Sequence, residues 1–229
     1  MTSFQRARSE EQRAVRRQAI LDTAAAMLTE MPVAQLSLNE LSRRVGLAKS
    51  NVLRYFESRE AVLLDLMNEA TRTWLDGFEA EVATAVDAKA EPYERADQLA
   101  AALAASLAEH PVLCDLIGAQ ASVLERNVSP EATAEYKRAA VANVLDLVRL
   151  VGRLLPELDE ADATRFTTAA VMMTGAVWSH AHPSAAVLTV YERDAELGAL
   201  RMDFTATLTD VCQTLLSGLL VRATRRATA

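Results

Sequence analysis

The 229-residue sequence is poor in the residues that irregular and disulfide-stabilised proteins use, with two cysteines, seven glycines and six prolines. Cys114 and Cys212 lie far apart without a CxxC pattern, so we expect two buried thiols, with a redox sensor as the alternative. The scarcity of glycine and proline, beside abundant Ala, Leu, Glu and Arg, favours a mostly helical chain.

Long apolar runs are also missing. No run reaches the length of about 18 residues that spans a bilayer, and the longest, around residues 169–179, is interrupted by Thr174. The N-terminal stretch "MTSFQRARSEEQRAVRRQ" has no apolar segment typical of a signal peptide. We therefore expect a cytoplasmic protein with no membrane partner.

Motifs of catalysis and metal binding are absent as well. The sequence contains no HExxH, no GxSxG, no Walker-type glycine loop and no pair of acids at metal spacing. His180 and His182 are two residues apart and fall on different faces of a helix, which makes them poor metal ligands. We expect no enzymatic activity, no metal and no cofactor.

Charge, in contrast, is abundant and unevenly distributed. Residues 1–60 hold ten Lys and Arg residues against seven Asp and Glu residues, while the whole chain has a net charge of −7. A basic N-terminal part on an acidic remainder predicts that the first part meets a polyanion.

The sequence from Ser37 to Glu60, "SLNELSRRVGLAKSNVLRYFESRE", holds five of these basic residues around one glycine. Ser37 and Glu40 form a capping box at the start of a helix, and Gly46 is placed to end it. A short helix over residues 49–55 would follow, which makes a helix-turn-helix pattern.

The outer face of this pair carries the residue types that read and grip duplex DNA. The candidate DNA-binding residues are Ser37, Arg43, Arg44, Lys49, Ser50, Asn51, Leu53, Arg54, Tyr55 and Arg59. Helix–glycine–helix segments with surface arginines also occur in ordinary helical proteins, so the pattern by itself leaves both interpretations open.

Residues 12–66 resemble the N-terminal DNA-binding domain of the tetracycline-repressor (TetR) family. The resemblance rests on "ILDTAAAMLTE" and on "SLNELSRRVGLAKSNVLRYFESREAVLLDL". The positions that fit the family pattern are Ser37, Gly46, Lys49, Phe56, Ser58, Arg59, Glu60 and Leu63. Ala48 departs from the usual Ser or Thr and removes an N-cap, and Leu53, Arg54 and Tyr55 also differ from the common residues. These departures bear on which operator is bound.

The resemblance implies an all-α protein, with an N-terminal three-helix helix-turn-helix domain over 1–58 and a helical effector-binding and dimerisation domain over 59–229. Residues expected at a ligand pocket are Trp74, Phe78, Cys114, Leu116, Gln120, Tyr136, Met172, Met173 and Trp178, although each taken singly also suits a plain core. Residues expected at a dimer interface are Phe166, Ala170, Val177, Phe204, Leu208, Val211, Leu215 and Leu219.

The functional expectation is a bacterial one-component regulator. It would bind a palindromic duplex operator as a homodimer, most often as a repressor, and a small apolar or amphipathic effector of unknown identity would release it. The alternative is an all-helical dimeric scaffold or partner-binding protein without DNA binding. The two differ in one measurable way, because DNA binding weakens steeply with rising salt.

Overall fold

The structure is a computed structural model that describes residues 3–228, with side chains from residue 10 onward. Within that range no residue lies in a strand, which confirms the all-α prediction. The helices are α1 (Ser3–Leu28), α2 (Leu38–Val45), α3 (Lys49–Val52), α4 (Arg59–Ala85), α5 (Pro92–Ala108), α6 (Pro111–Ala119), α7 (Pro130–Leu154), α8 (Glu160–Ala181), α9 (Ala185–Arg193), α10 (Ala195–Gly198) and α11 (Phe204–Ala227).

The chain forms two compact units. The first, called the head unit, comprises Met1–Glu69 and Ala119–Lys137, and the second, called the body unit, comprises Ala70–Gly118 and Arg138–Ala229. This division differs from a boundary at residues 58 and 59, because the first turns of α4 bury Leu63 and Leu66 and therefore contribute to the head core. The side chains of Arg6 and Arg8, which contribute to the basic N-terminal charge, lie outside the described residues.

The head unit has a small apolar core to which α1, α2, α3 and the start of α4 contribute. Its buried side chains include Ile20, Leu21, Met27, Leu41, Val52, Phe56 and Leu63. Full burial of a side chain of this size stabilises the fold by about 1.5–3 kcal/mol. Because α1 packs on α2 and α2 packs on α3, this core holds the helix-turn-helix pair in one arrangement.

The start and end of α2 follow the sequence closely. The Ser37 hydroxyl accepts a hydrogen bond from the Glu40 amide at 3.2 Å, and Gly46 ends the helix in the left-handed region at φ 74°. A residue with a Cβ is strained at such a φ, so glycine is the residue this turn requires. The Glu40 side chain does not complete the predicted capping box, because it binds Arg43 and Arg44 instead.

The α3 helix is shorter than predicted, since its α-helical part ends at Val52 rather than at residue 55. The backbone continues in turns whose bonds link residues three apart, from the amide of Arg54 to the carbonyl of Asn51 and from the amide of Tyr55 to that of Val52. Ala48 provides no side-chain cap, as the sequence predicted.

In the body unit, α11 packs against α5 and α8. Asp159 caps α8 and Asp203 caps α11, each through a hydrogen bond to a backbone amide three residues ahead, at 2.7 Å. The sequence predicts a last helix that starts near Leu200, but α11 starts at Phe204, directly after the Asp203 cap. The sequence also predicts one helix over 111–126, whereas α6 ends at Ala119 and a 3₁₀ turn at Leu124–Arg126 follows.

Gly118 and Gly175 bring α6 and α8 into close contact in the body unit. A Cβ built on Gly175 would lie 3.1 Å from the Gly118 backbone, and one on Gly118 would lie 2.9 Å from the Ser179 hydroxyl oxygen. Neither helix can accept a larger residue here unless its backbone moves. The glycine pair therefore sets the distance between these two helices.

The α11 helix is long and apolar enough, by length and composition, to pass as a membrane span, which the sequence analysis did not anticipate. Only 33% of its most apolar window is buried inside the chain. A single such helix is weak evidence for a membrane, because core helices of globular proteins pass the same test. It does show that α11 leaves apolar surface uncovered by its own chain.

Candidate nucleic-acid interface and effector site

The helix-turn-helix presents a polar outer face around α3. Lys49, Ser50, Asn51 and Arg54 are exposed, whereas Val52 is buried on the opposite side of the same helix. The residues that the structure describes leave these four groups uncovered, so they are available to a groove. Hydrogen-bond donors and acceptors on a rigid exposed helix are what reading base edges requires.

Leu53 and Tyr55 flank that face in different ways. Leu53 is 41% exposed, so its side chain lies on the surface and is not buried in the packing of α3. Tyr55 is half-buried, and the guanidinium carbon of Arg13 lies 5.9 Å from its ring centroid. Ser37 is exposed, but its hydroxyl already accepts from Glu40.

Two of the predicted DNA-binding residues are ion-paired within the head unit. Arg43 and Arg44 both bind Glu40, at 2.6 and 3.0 Å, and Arg44 also binds Glu30 at 2.7 Å. Hydrogen bonds from Arg43 and then Arg44 lower the pKa of Glu40 to about 2, so the carboxylate stays charged at neutral pH. The positive charge on this side of α2 is therefore largely balanced.

Arg59, one of the candidate DNA-binding residues, is turned inward. Its guanidinium donates to the Leu36 carbonyl at 2.9 Å and lies 3.2 Å from a Glu60 carboxylate oxygen. The side chain is only partly exposed, because it ties the start of α4 to the segment that precedes α2. This placement makes Arg59 a brace within the head unit, and such a role could not be read from spacing.

The structure also shows basic residues that the sequence analysis passed over. Arg13 and Arg16 on α1 line a notch of about 340 Å³ together with Arg54 and Tyr55. Arg13 Nη2 donates to the Arg54 carbonyl at 3.4 Å. The spacing of three on an exposed helix was a signal for one basic face, but only the fold brings that face beside residue 54.

Behind this surface, Arg17 lies in a more acidic environment. Its guanidinium forms an ion pair with Asp65 and lies 4.6 Å from the Phe56 ring centroid. Burial raises the pKa of Asp65 above its ordinary value, and the Arg17 charge opposes that rise. In the same head unit, the Ser129 amide donates a hydrogen bond to the Glu57 carboxylate at 2.5 Å.

The nine residues expected at a ligand pocket divide between the two units, with seven in the body unit and two in the head unit. Trp74, Phe78, Cys114 and Leu116 are buried in the body core, where the Trp74 and Phe78 rings stack at 5.1 Å. Each has its space filled by neighbouring side chains, as the plain-core interpretation requires.

The other five residues of that set differ in unit and in exposure. Gln120 and Tyr136 belong to the head unit. The Met172 side chain is 69% exposed on the outer face of α8, so it does not line an enclosed pocket of this chain. Met173 and Trp178 are half-buried.

Of the nine, Trp178 lines a cavity of about 460 Å³ in the body unit. The His182 ring stacks on Trp178 at 3.8 Å, and the Phe204 ring meets it edge-on at 5.1 Å. Arg201 lies at the same cavity. An aromatic floor beside a guanidinium suits a small amphipathic ligand with an acidic group.

Burial also corrects the residues expected at a dimer interface. Six of the eight face the interior of their own chain, and these are Phe166, Ala170, Val177, Phe204, Leu208 and Leu219. The broad apolar stripe on α11 is covered by α5 and α8, which a count of apolar residues could not reveal. Val211 and Leu215 are half-buried and remain available in part.

Both cysteine thiols are buried. Burial raises the pKa of Cys114 and of Cys212 to about 12, and the Cys114 thiol donates to the Leu107 carbonyl. Neutral, enclosed thiols are poor nucleophiles, which agrees with the expectation of two structural cysteines.

A helix-turn-helix head with an exposed reading face, followed by an all-helical body, defines a DNA-binding regulator of transcription. Residues 20–66 match the model of bacterial regulatory proteins of the tetR family, and residues 69–223 match a tetracyclin repressor-like C-terminal domain. The chain belongs to the TetR family of transcriptional regulators, whose members are not enzymes. No curated protein matches the sequence at a significant level.

Solved structures share this fold at low sequence identity. A possible TetR family transcriptional regulator from Streptomyces coelicolor A3(2) is 19% identical with a TM-score of 0.59, covering 93% of this chain and 100% of its own. The fatty acid degradation regulator FadR from Bacillus halodurans is 19% identical with a TM-score of 0.53, covering 88% and 98%. FadR from Bacillus subtilis in complex with stearoyl-CoA is 15% identical with a TM-score of 0.52, covering 87% and 96%.

Proposed function

We propose that this regulator binds a palindromic duplex operator as a homodimer and represses transcription until a small amphipathic ligand releases it. DNA reading is assigned to residues 1–58, and ligand binding and dimerisation to residues 59–229. The observation that carries the proposal is the exposed face of Lys49, Ser50, Asn51 and Arg54 above a buried Val52.

These four side chains divide the work by their chemistry. Arg54 and Lys49 can donate to guanine O6 and N7, and Asn51 can form a bidentate pair with adenine. The exposed Leu53 side chain can contact a thymine methyl group. One good bidentate contact discriminates against a wrong base by about 1–3 kcal/mol.

Dimerisation through the body is supported by apolar and small residues that the described chain leaves wholly or partly exposed. On α8 these are Thr168, Met172 and Ala176, spaced four residues apart. On α11 a second stripe runs through Thr207, Val211, Thr214, Gly218 and Val221. Spacings of four and three are those of a helix seam, so these stripes replace the buried residues as the proposed dimer face.

The effector is proposed to bind at the cavity around Trp178. The cavity combines aromatic rings with the Arg201 guanidinium and the Asp203 carboxylate. Because Asp203 accepts from the Ala206 amide as the cap of α11, Arg201 is the charged group proposed to meet a ligand, which favours an apolar body with one acidic group. Stearoyl-CoA, bound by the Bacillus subtilis relative, is also amphipathic, and acyl-CoA compounds are therefore a reasonable first class to test. Because α4 contributes residues to both units, it is the proposed route by which a ligand changes DNA affinity. We place the regulator in the cytoplasm, where its operator is.

The test is selection of bound duplexes from a random library with the full-length protein. We expect a palindromic site with half-sites about one helical turn apart. Exchange of Arg54 for Ala should relax the preference at one position of each half-site, whereas exchange of Arg193, an exposed arginine of α9, should leave the selected sequence unchanged. Recovery of no enriched duplex would favour the dimeric scaffold instead.

A further inference from the structure

We propose that Arg13, Arg16 and Arg54 form a second binding site in the head unit, which holds a phosphodiester of the duplex backbone beside the bases that α3 reads. This inference rests on the proposed DNA binding and extends its contact surface from α3 onto α1. Arg13 and Arg16 belong to the basic excess of residues 1–60, but they lie outside the helix-turn-helix pattern of residues 37–60.

The basic side chains of residues 10–69 divide into those that form ion pairs and those that do not. Four arginines of this stretch are ion-paired within the head unit, namely Arg17, Arg43, Arg44 and Arg59. Among the described residues, Arg13, Arg16, Lys49 and Arg54 have no carboxylate within ion-pair distance. The unbalanced positive charge of this stretch is therefore on the α1–α3 side, away from the Arg43 side of α2.

Three of these four cations lie together at one notch on the surface of the head unit. Arg13, Arg16 and Arg54 line the notch of about 340 Å³, with Gln12 and Tyr55 completing it. Arg13 is held there by its hydrogen bond to the Arg54 carbonyl and by the Tyr55 ring. Guanidinium groups gathered without a carboxylate repel one another, and an anion between them removes that repulsion.

The hydrogen-bond donors that line the notch indicate which anion fits it. The guanidinium group presents parallel N–H donors that match two oxygens of one phosphate, and Gln and Tyr side chains also donate to phosphate oxygens. Arg54 directly follows the α3 face, so an anion in the notch would lie next to the groove that α3 enters. A backbone phosphodiester meets both conditions, because it is continuous with the bases being read.

The experiment measures binding of the full-length protein to a fluorescently labelled duplex of random sequence, between about 50 and 200 mM salt. A random sequence is chosen because phosphate contacts do not depend on the bases. In the double variant Arg13→Ala, Arg16→Ala, the slope of log affinity against log salt should become shallower by about 2 for each protomer. Affinity at the lowest salt should fall at least about tenfold.

The matched control is the double variant Arg138→Ala, Arg193→Ala. It removes the same charge from exposed arginines of the body unit, and its slope should equal that of the unchanged protein. Arg13→Lys, Arg16→Lys keeps the charge and should recover most of the slope. Arg16→Ala alone removes a side chain with no hydrogen bond or ion pair among the described residues, so it should fold normally and lose about 1 in slope.

Each outcome separates the two proposals. If the folded Arg16→Ala and double Ala variants keep the slope of the unchanged protein, the notch does not hold DNA, although α3 still does. Calorimetric titration with inorganic phosphate covers the other source of this anion: phosphate binding that the double variant loses, with an unchanged salt slope, would also overturn the DNA assignment. If the unchanged protein binds no duplex at all, it is the proposed function that fails.

Discussion

The head and body units differ in what they leave exposed. Ten large apolar side chains are exposed among residues 10–228, and of these Val15 and Leu53 belong to the head unit and eight to the body unit. The head instead exposes four cations that pair with no carboxylate of the described residues, at Arg13, Arg16, Lys49 and Arg54. The contrast indicates that the exposed surface of the head suits a hydrated polyanion, whereas the exposed surface of the body suits an apolar partner. It can be tested from either side.

The largest expected effect is on the apolar surface of the body. Met172→Glu together with Val221→Glu places charges on the exposed stripes of α8 and α11. If these stripes meet a second copy, each protomer would bury unpaired carboxylates, and the dimer should weaken by about 3 kcal/mol or more, over a hundredfold.

Sedimentation velocity across a range of concentrations measures this change. The control is Val15→Glu, which places the same charge on an exposed apolar position of the head and should leave association unchanged. A double variant that stays as dimeric as the unchanged protein would remove α8 and α11 from the interface.

The next effect concerns packing inside the body. Gly175→Ala places a Cβ against the Gly118 backbone, so the free energy of unfolding should fall by about 1–3 kcal/mol. Gly77→Ala is the matched control, since a Cβ there meets nothing within 4 Å, and it should raise the free energy of unfolding by about 0.5–1 kcal/mol. Urea unfolding measures both, and equal signs for the two variants would contradict the close contact of α6 and α8.

A smaller effect compares helix caps in the two units. Ser37→Ala removes the hydroxyl that accepts from the Glu40 amide, and Asp203→Ala removes the carboxylate that accepts from the Ala206 amide. Each change should cost about 1 kcal/mol of stability by thermal unfolding. Only Ser37→Ala should also weaken DNA binding, because it loosens the start of α2. If Asp203→Ala weakens it equally, the cap in the head has no special role.

The smallest effect arises from the two buried thiols. Their pKa is raised from 9.0 to about 12, so the native state keeps protons that the unfolded chain releases above pH 9. The free energy of unfolding should therefore fall as pH rises, by less than about 1 kcal/mol in total between pH 8 and pH 9. Comparison of urea unfolding with that of the variant Cys114→Ala, Cys212→Ala isolates this part, which should disappear in the variant.

Local features were predictable wherever one short stretch contains the whole cause. The Ser37 cap, the left-handed Gly46 and the missing cap at Ala48 all follow from residues within four positions. The start of α8 at Asp159 is similar. Helix lengths were less predictable, since α3 ends early at Val52 and α6 at Ala119, and neither helix is followed directly by a proline or glycine.

The candidate sites show why the rest could not be predicted. Arg43 and Arg59 carry the same charge as Arg54, but Glu40 and the Leu36 carbonyl occupy them. Those partners follow from the fold, and so does the meeting of Arg13 with Arg54 across 41 positions of the sequence.

The sequence by itself determined the class of this protein. Its helix-forming composition, its caps and the spacing of residues 37–63 act through neighbours along the chain, and they sufficed for an all-α regulator with a helix-turn-helix. Tertiary structure alone decided which like residues do different work. Apolar stripes look identical whether they face a chain's own core or a second copy, and arginines look identical whether a carboxylate neutralises them or not. Only packing in three dimensions distinguishes them, because burial and ion pairing depend on residues distant in sequence.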